Sequence, residues 1–284
     1  MGRTARVLSI DSHAMPHALA FEAAVHRDGI DPNPGVVCLH ANASSSSQWR
    51  ALTQRLARDY RVFAPDTLGA GQGPAWPAGQ AVTLRDEVAL LEPVFAAAGS
   101  PHFLVGHSYG AAIALIAALA HPERTRALAL YEPTLFAVLG NEADGQAAAR
   151  GIRSAVDDAA GALAANQPQA AAQRFIDYWM GPGSWSLMPD HRQATIAASV
   201  ANVEGWAGAL FGEPTPPQAF EALDMPVLYM LGAQSPESSR AVARVLTQTL
   251  RHVSVIEFAA LGHMGPVTHA ELVNDAVAQF LACH

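Results

Sequence analysis

Short apolar runs alternate with longer amphipathic or Ala-rich stretches along most of this chain. The runs at 36–40, 60–66, 103–106, 126–131, 225–232 and 252–258 are strand-length and largely apolar, the pattern of strands buried on both faces. Two further strands are expected at 5–11 and 18–25, around a turn at Met15-Pro16-His17. Helical patterns follow at 48–58, 82–98, 111–120, 236–250 and 269–281. Strands alternating with helices predict an α/β fold: an eight-stranded, mostly parallel sheet with helices on both faces. The rhythm breaks between 134 and 224, where the pattern is helical, Ala-rich and interrupted by Gly/Pro loops. That span is too long for one crossover. It is expected to be an inserted helical cap over a core of residues 1–133 and 225–284.

The densest local signal is Phe103-Leu104-Val105-Gly106-His107-Ser108-Tyr109-Gly110-Ala111-Ala112. An apolar strand runs into G-x-S-x-G and then into an Ala-rich helix. In that setting the serine sits on a sharp turn, the nucleophile elbow. Gly106 and Gly110 supply the missing bulk on either side, and the helix start offers free N–H groups to a developing negative charge. The alternative is an ordinary strand-to-helix turn in which Ser108 is only an N-cap.

Composition removes several chemistries. All 17 basic residues are arginines, so a P-loop lysine, a Schiff-base lysine and a Ser–Lys dyad are excluded. Half of the residues are hydrophobic and 15% are charged, which argues against intrinsic disorder. The net charge of -8, with no basic run, disfavours nucleic acid and anionic membrane surfaces as partners. There is no signal-peptide pattern and no apolar run of about 18 residues, so a cytoplasmic protein is expected. Cys38, in an apolar run and far in sequence from Cys283, is expected to be a buried free thiol. His13 and His17 have a ligand-like spacing, but Pro16 between them and the lack of a carboxylate motif favour a surface loop. The loop Asp66-Thr67-Leu68-Gly69-Ala70-Gly71-Gln72-Gly73 has no G-x-G-x-x-G and no lysine, so a phosphate loop is discounted. The serine run 44–47 lies between a strand and a helix and is expected to form a polar turn, one serine capping the helix.

His40-Ala41-Asn42, Asp66-Thr67-Leu68-Gly69-Ala70-Gly71, Gly106-His107-Ser108-Tyr109-Gly110 and Gly262-His263 together resemble the α/β-hydrolase fold superfamily. The resemblance runs from the His40 strand to the C-terminus, with the cap too variable to compare. It implies that Ser108 is the nucleophile. It further implies that His263, in the Gly-flanked loop after the last strand, is its base. The oxyanion hole is implied to use the N–H groups of Tyr109 and Asn42. Relatives usually have glycine where Ala41 stands. No cofactor and no metal are implied.

The acid departs from the family pattern. Most relatives carry an aspartate after the strand before the final helix–strand pair. Here that loop reads Gly232-Ala233-Gln234-Ser235-Pro236-Glu237, with Ser235 near the aspartate position. Some relatives, including a branch of haloalkane dehalogenases, place the acid after the sixth strand, where Glu132 stands. Glu132 is the first candidate and Glu237 the second; with neither, the site is a Ser–His dyad. Dehalogenase and epoxide hydrolase chemistry need an aspartate nucleophile, so both are rejected. Cleavage of a small, largely apolar ester or lactone through an acyl-enzyme is expected, by a protein that could be a homodimer. Trp179, Trp185 and Trp206, with Tyr178 and Phe211, could roof an apolar pocket or fill the cap core. The alternatives are a non-catalytic small-molecule-binding protein on the same fold, and a C–C bond hydrolase or perhydrolase.

Overall fold

The computed structural model describes residues 6–10, 33–77, 79–140 and 142–284. Seven parallel strands form one sheet: β1 (Arg6–Ile10), β2 (Gly35–Leu39), β3 (Arg61–Phe63), β4 (His102–His107), β5 (Thr125–Tyr131), β6 (Val227–Gly232) and β7 (Val253–Phe258). Their spatial order is β1-β7-β6-β5-β4-β2-β3. The expected strand at 18–25 and the His13/His17 loop lie outside the described residues. The sheet therefore has seven described strands against the eight expected.

Side-chain alternation divides the core between the two faces. Val37, Leu39, Leu104, Leu128 and Leu130 point to the face covered by α2 (Leu84–Ala98) and α3 (Tyr109–Ala120). Val36, Cys38, Phe103, Val105, Ala127 and Ala129 point to the other, under α1 (Arg50–Leu56) and the C-terminal helix Ala270–Cys283. Both faces being covered is why these strands read as largely apolar runs without strict alternation. Helix α2 begins at a capping box, with Thr83 and Asp86 bonding reciprocally to each other's backbone N–H. It ends at Gly99, whose φ of 83° suits glycine.

From β2 the chain steps outward to β3, then returns to place β4 on the other side of β2 and proceeds to β5, β6 and β7. The loops leaving β2 and β4 therefore diverge. A crevice opens between them at the carboxyl ends of the strands, the usual place for a ligand in such sheets. Between β5 and β6 the ordered elements are all helical: α4 (Ala143–Ala164), α5 (Pro168–Met180), α6 (Asp190–Ser199), α7 (Val203–Phe211) and short 3-10 turns. These helices stand over the crevice. The chain then continues through α8 (Glu237–Thr249), after β6, and the short α9 (Gly265–Thr268), after β7; the C-terminal helix is α10. No helix among the described residues is long and apolar enough to cross a membrane.

Candidate active site

Ser108 sits between β4 and α3 with φ 56° and ψ -116°, a left-handed value for a residue with a Cβ. Such a conformation costs about 1–3 kcal/mol and persists only where the surroundings over-determine it. Here they do. The Ser108 N–H donates to the Tyr131 carbonyl at 2.9 Å, and the Thr134 N–H donates to the Ser108 carbonyl at 3.4 Å. The glycines are required by close approach. A Cβ on Gly106 would lie 2.5 Å from the Ala111 Cα, and one on Gly110 would lie 2.3 Å from the Leu39 carbonyl oxygen. Helix α3 starts at Tyr109, two residues earlier than the Ala-rich pattern alone indicates. Its first turn leaves the Tyr109 N–H without an acceptor inside the helix.

Three side chains distant in sequence meet here. His263 Nε2 is 2.9 Å from Ser108 Oγ, and His263 Nδ1 is 2.7 Å from Glu132 Oε2. A carboxylate can only accept, so Nδ1 carries the proton to Glu132 and Nε2 is left to accept from the serine hydroxyl. Glu132 is fully buried, directly after β5, with φ 43°. Its other oxygen accepts the Gly232 N–H at 2.7 Å and the Ser235 hydroxyl at 2.5 Å. Ser235 thus donates to the glutamate from the loop where most relatives would carry an aspartate. Glu237 lies elsewhere: its carboxylate is exposed and pairs with Arg244 within α8.

The histidine loop is clamped from below. The His107 ring, on the opposite side of β4 from Ser108, donates through Nε2 to the His263 carbonyl at 2.8 Å. Burial holds His107 well below the usual imidazole range, so it is neutral. The Tyr131 hydroxyl donates to the Gly262 carbonyl at 2.8 Å. The residues preceding the serine and the glutamate therefore both hold the loop that carries His263. The motif around Ser108 contains His107 but does not mark this role, and Tyr131 lies in none; the contacts depend on strands that pair across the sheet.

Asn42 lies on the rim of the crevice beside Ala43, whose φ is 54°. His40 is buried behind it. Its Nδ1–H donates to the Ala41 carbonyl at 2.8 Å, and its Nε2 accepts the Thr67 N–H at 3.2 Å. Burial lowers the His40 pKa, although the Ala41 carbonyl and the Asp66 carboxylate oppose this. Asp66 itself corrects the expectation of a serine cap. Its carboxylate accepts the Ser46 N–H at 2.6 Å and the Gln72 N–H at 2.8 Å, joining the serine loop to the glycine loop. Ser45 occupies the cap position of the turn, but its hydroxyl pairs with that of Ser47. Burial pushes Asp66 upward, yet the two backbone donors, the Ser46 side chain and the His40 ring together outweigh it and hold the carboxyl below its ordinary value.

Beneath Tyr109 lies a carboxyl that no sequence pattern singles out. Glu87, fully buried in the first turn of α2, accepts the Leu68 N–H at 3.3 Å and the Tyr109 hydroxyl at 3.2 Å. Burial raises its pKa to about 7, against the lowering effect of those two donors. A carboxyl raised on folding keeps its proton where the unfolded chain has already ionised. Its contribution to stability therefore falls as pH rises from the ordinary value of 4.5 towards 7. Glu87→Gln mimics the protonated form. Denaturant unfolding should find the variant gaining about 3 kcal/mol on wild type between pH 4.5 and pH 8.

Above Ser108 and His263 is a cavity of about 800 Å³. Ser108, His263 and Asn42 lie in its wall, with Ile152, Phe175, Trp179, Trp206, Leu210 and Phe211 from the inserted helices. No carboxylate lines it among the described residues, and the lining has one arginine, Arg192. Trp185 and Tyr178 do not line it; the Tyr178 hydroxyl bonds to Ser238 Oγ at 2.7 Å.

A family model described as alpha/beta hydrolase fold matches residues 34–270. The putative 2-succinyl-6-hydroxy-2,4-cyclohexadiene-1-carboxylate synthase of Bacillus subtilis (strain 168) is 27% identical over 269 residues, covering 91% of this chain and 94% of that protein. A haloalkane dehalogenase of Agrobacterium fabrum is 33% identical over 117 residues, 41% of this chain and 38% of that one. Among solved structures, the enol-lactonase from Burkholderia xenovorans LB400 superposes with a TM-score of 0.69 at 18% identity, covering 90% of this chain and 94% of that one. That likeness speaks to the fold.

Proposed function

The chain belongs to the alpha/beta-hydrolase fold family, and from that premise we propose that it is a cofactor-independent serine hydrolase acting on a small, largely apolar ester or lactone. The observation that carries this reading is the chain of contacts Ser108 Oγ to His263 Nε2 at 2.9 Å and His263 Nδ1 to Glu132 at 2.7 Å, opening into an apolar cavity.

In the first step Ser108 Oγ attacks the substrate carbonyl and His263 Nε2 takes the hydroxyl proton. Glu132 holds the Nδ1 tautomer and stabilises the imidazolium. The carbonyl oxygen becomes an oxyanion and is held by the Tyr109 and Asn42 N–H groups, each donor worth about 2.7–4 kcal/mol in the transition state. His263 returns the proton to the leaving alcohol, and an acyl-Ser108 ester remains. Water attacks that ester with His263 again as base. Free Ser108 and an acid are released, and no redox partner is consumed. In a lactone both products are one hydroxy acid. Residues 134–224 act as a cap over a core of 1–133 and 225–284, and the cap sets which substrate enters. The aspartate ester of dehalogenase chemistry is unavailable to a serine nucleophile, so the partial match to a dehalogenase does not extend to its reaction.

A fluorophosphonate probe tests the reading, because it phosphonylates only a serine activated by a base. Wild type should label at Ser108, Ser108→Ala should not, and an unlabelled wild type overturns the proposal in favour of a binding protein. Esters and lactones with neutral, anionic and cationic tails then sort the substrate class. The absence of lining carboxylates favours the first two. The long match to a synthase favours a second reading, in which the same residues act on a bond other than an ester. Labelling without turnover of any ester or lactone would support it.

A further inference from the structure

The ring of His263 is engaged on one face as well as at both nitrogens. Trp179, in the last turn of α5, stacks on it with ring centroids 3.9 Å apart and planes 27° from parallel. The indole is buried and wedged in place. Phe175 meets it edge-on at 6.2 Å and Tyr178 at 4.9 Å, and Tyr178 is anchored to α8 through Ser238. A partner that only filled space would need neither this parallelism nor this support.

We propose that Trp179 is a positioning residue of the site: its indole face holds the His263 ring in plane and stabilises the imidazolium that forms when Ser108 loses its proton. This rests on the serine-hydrolase reading for its catalytic meaning, though not for its physics. Imidazole is neutral before the proton moves and cationic after it. The face of an indole carries the negative part of the ring quadrupole, so the attraction appears mainly in the charged state. An interaction made in the transition state and absent from the ground state raises the rate. Desolvation strengthens it, and both rings are buried. Because α5 belongs to the helices inserted between β5 and β6, the base is completed only while those helices sit over the sheet.

Among the described residues, three other side chains besides Ser108 meet the His263 ring. Glu132 after β5 accepts from Nδ1, the neutral His107 ring of β4 lies 5.2 Å away by centroids, and Ser239 of α8 approaches Nδ1 at 3.5 Å. Glu132 is the carboxyl among them, and it remains in a Trp179 variant.

Two measurements need no substrate. An imidazolium in contact with an indole quenches its fluorescence. Wild type and Ser108→Ala should therefore show an acid-going loss of emission that both Trp179→Phe and His263→Gln lack. NMR titration of the His263 ring proton, assigned by its disappearance in His263→Gln, should give a midpoint about half a pH unit lower in Trp179→Phe than in wild type. Emission loss that persists in Trp179→Phe, or a midpoint that stays or rises, overturns the proposal. The third measurement is the fluorophosphonate labelling rate, expected to fall about tenfold in Trp179→Leu with circular dichroism unchanged. If wild type fails to label, the hydrolase reading fails while the titrations still decide the stack.

Discussion

Ser108→Ala should reduce hydrolysis of the best substrate by about 10⁴-fold or more in kcat, with KM changed little. The size follows from what the hydroxyl does. With it gone there is no acyl-enzyme, and only the oxyanion donors and the cavity remain to assist a direct attack by water. The alanine should also relieve no strain, because the turn is held by backbone bonds from the Ser108 N–H to Tyr131 and from the Thr134 N–H to Ser108 rather than by the side chain. Steady-state kinetics and a thermal melt on the same preparation check both halves. A variant that keeps more than about a tenth of wild-type kcat would show that Ser108 is not the nucleophile.

Glu132→Gln is expected to cost about 10³- to 10⁴-fold in kcat, whereas Glu237→Gln should leave kcat within about twofold. The amide is nearly isosteric with the carboxylate, but it offers His263 Nδ1 no negative charge. If its NH2 turns towards the imidazole, it imposes the wrong tautomer, with Nε2 protonated and unable to accept from Ser108. The Gly232 N–H and the Ser235 hydroxyl, which both donate to Glu132 Oε1, would favour that orientation because they require the amide oxygen on their side. Glu237, exposed and paired with Arg244, has no such stake. Kinetics of the two variants side by side decide the acid. A loss confined to Glu237→Gln would overturn the assignment to Glu132.

The elbow at Ser108 was legible because its constraint is local. A strand, a tight turn and a helix need small residues at fixed offsets, and Gly106 and Gly110 stand where a Cβ would strike backbone. The parallel sheet was legible for a similar reason, since strands covered on both faces must be apolar at most positions. The glycine at the end of α2 and the helical character between β5 and β6 followed from the same short-range rules. Other features left no local trace. The cap of the turn before α1 is the Asp66 carboxylate, 20 positions away in the chain, and not a neighbouring serine. Glu87 looks like any acidic residue in a helix's first turn until α3 is laid against it and Tyr109 meets it.

The amino-acid sequence by itself determined the kind of sheet, the strained serine and the exclusion of lysine chemistry, because each depends on residues within a turn or a strand of one another or on bare composition. Only the tertiary structure decided which carboxylate faces His263 and what covers that ring. Glu132 and His263 are 131 positions apart and meet because β5, β6 and β7 lie side by side in parallel, so that their carboxyl ends share one edge of the sheet. Trp179 reaches the same imidazole from a helix outside the sheet altogether. Contacts of that range depend on how whole elements pack, and no spacing along the chain encodes them.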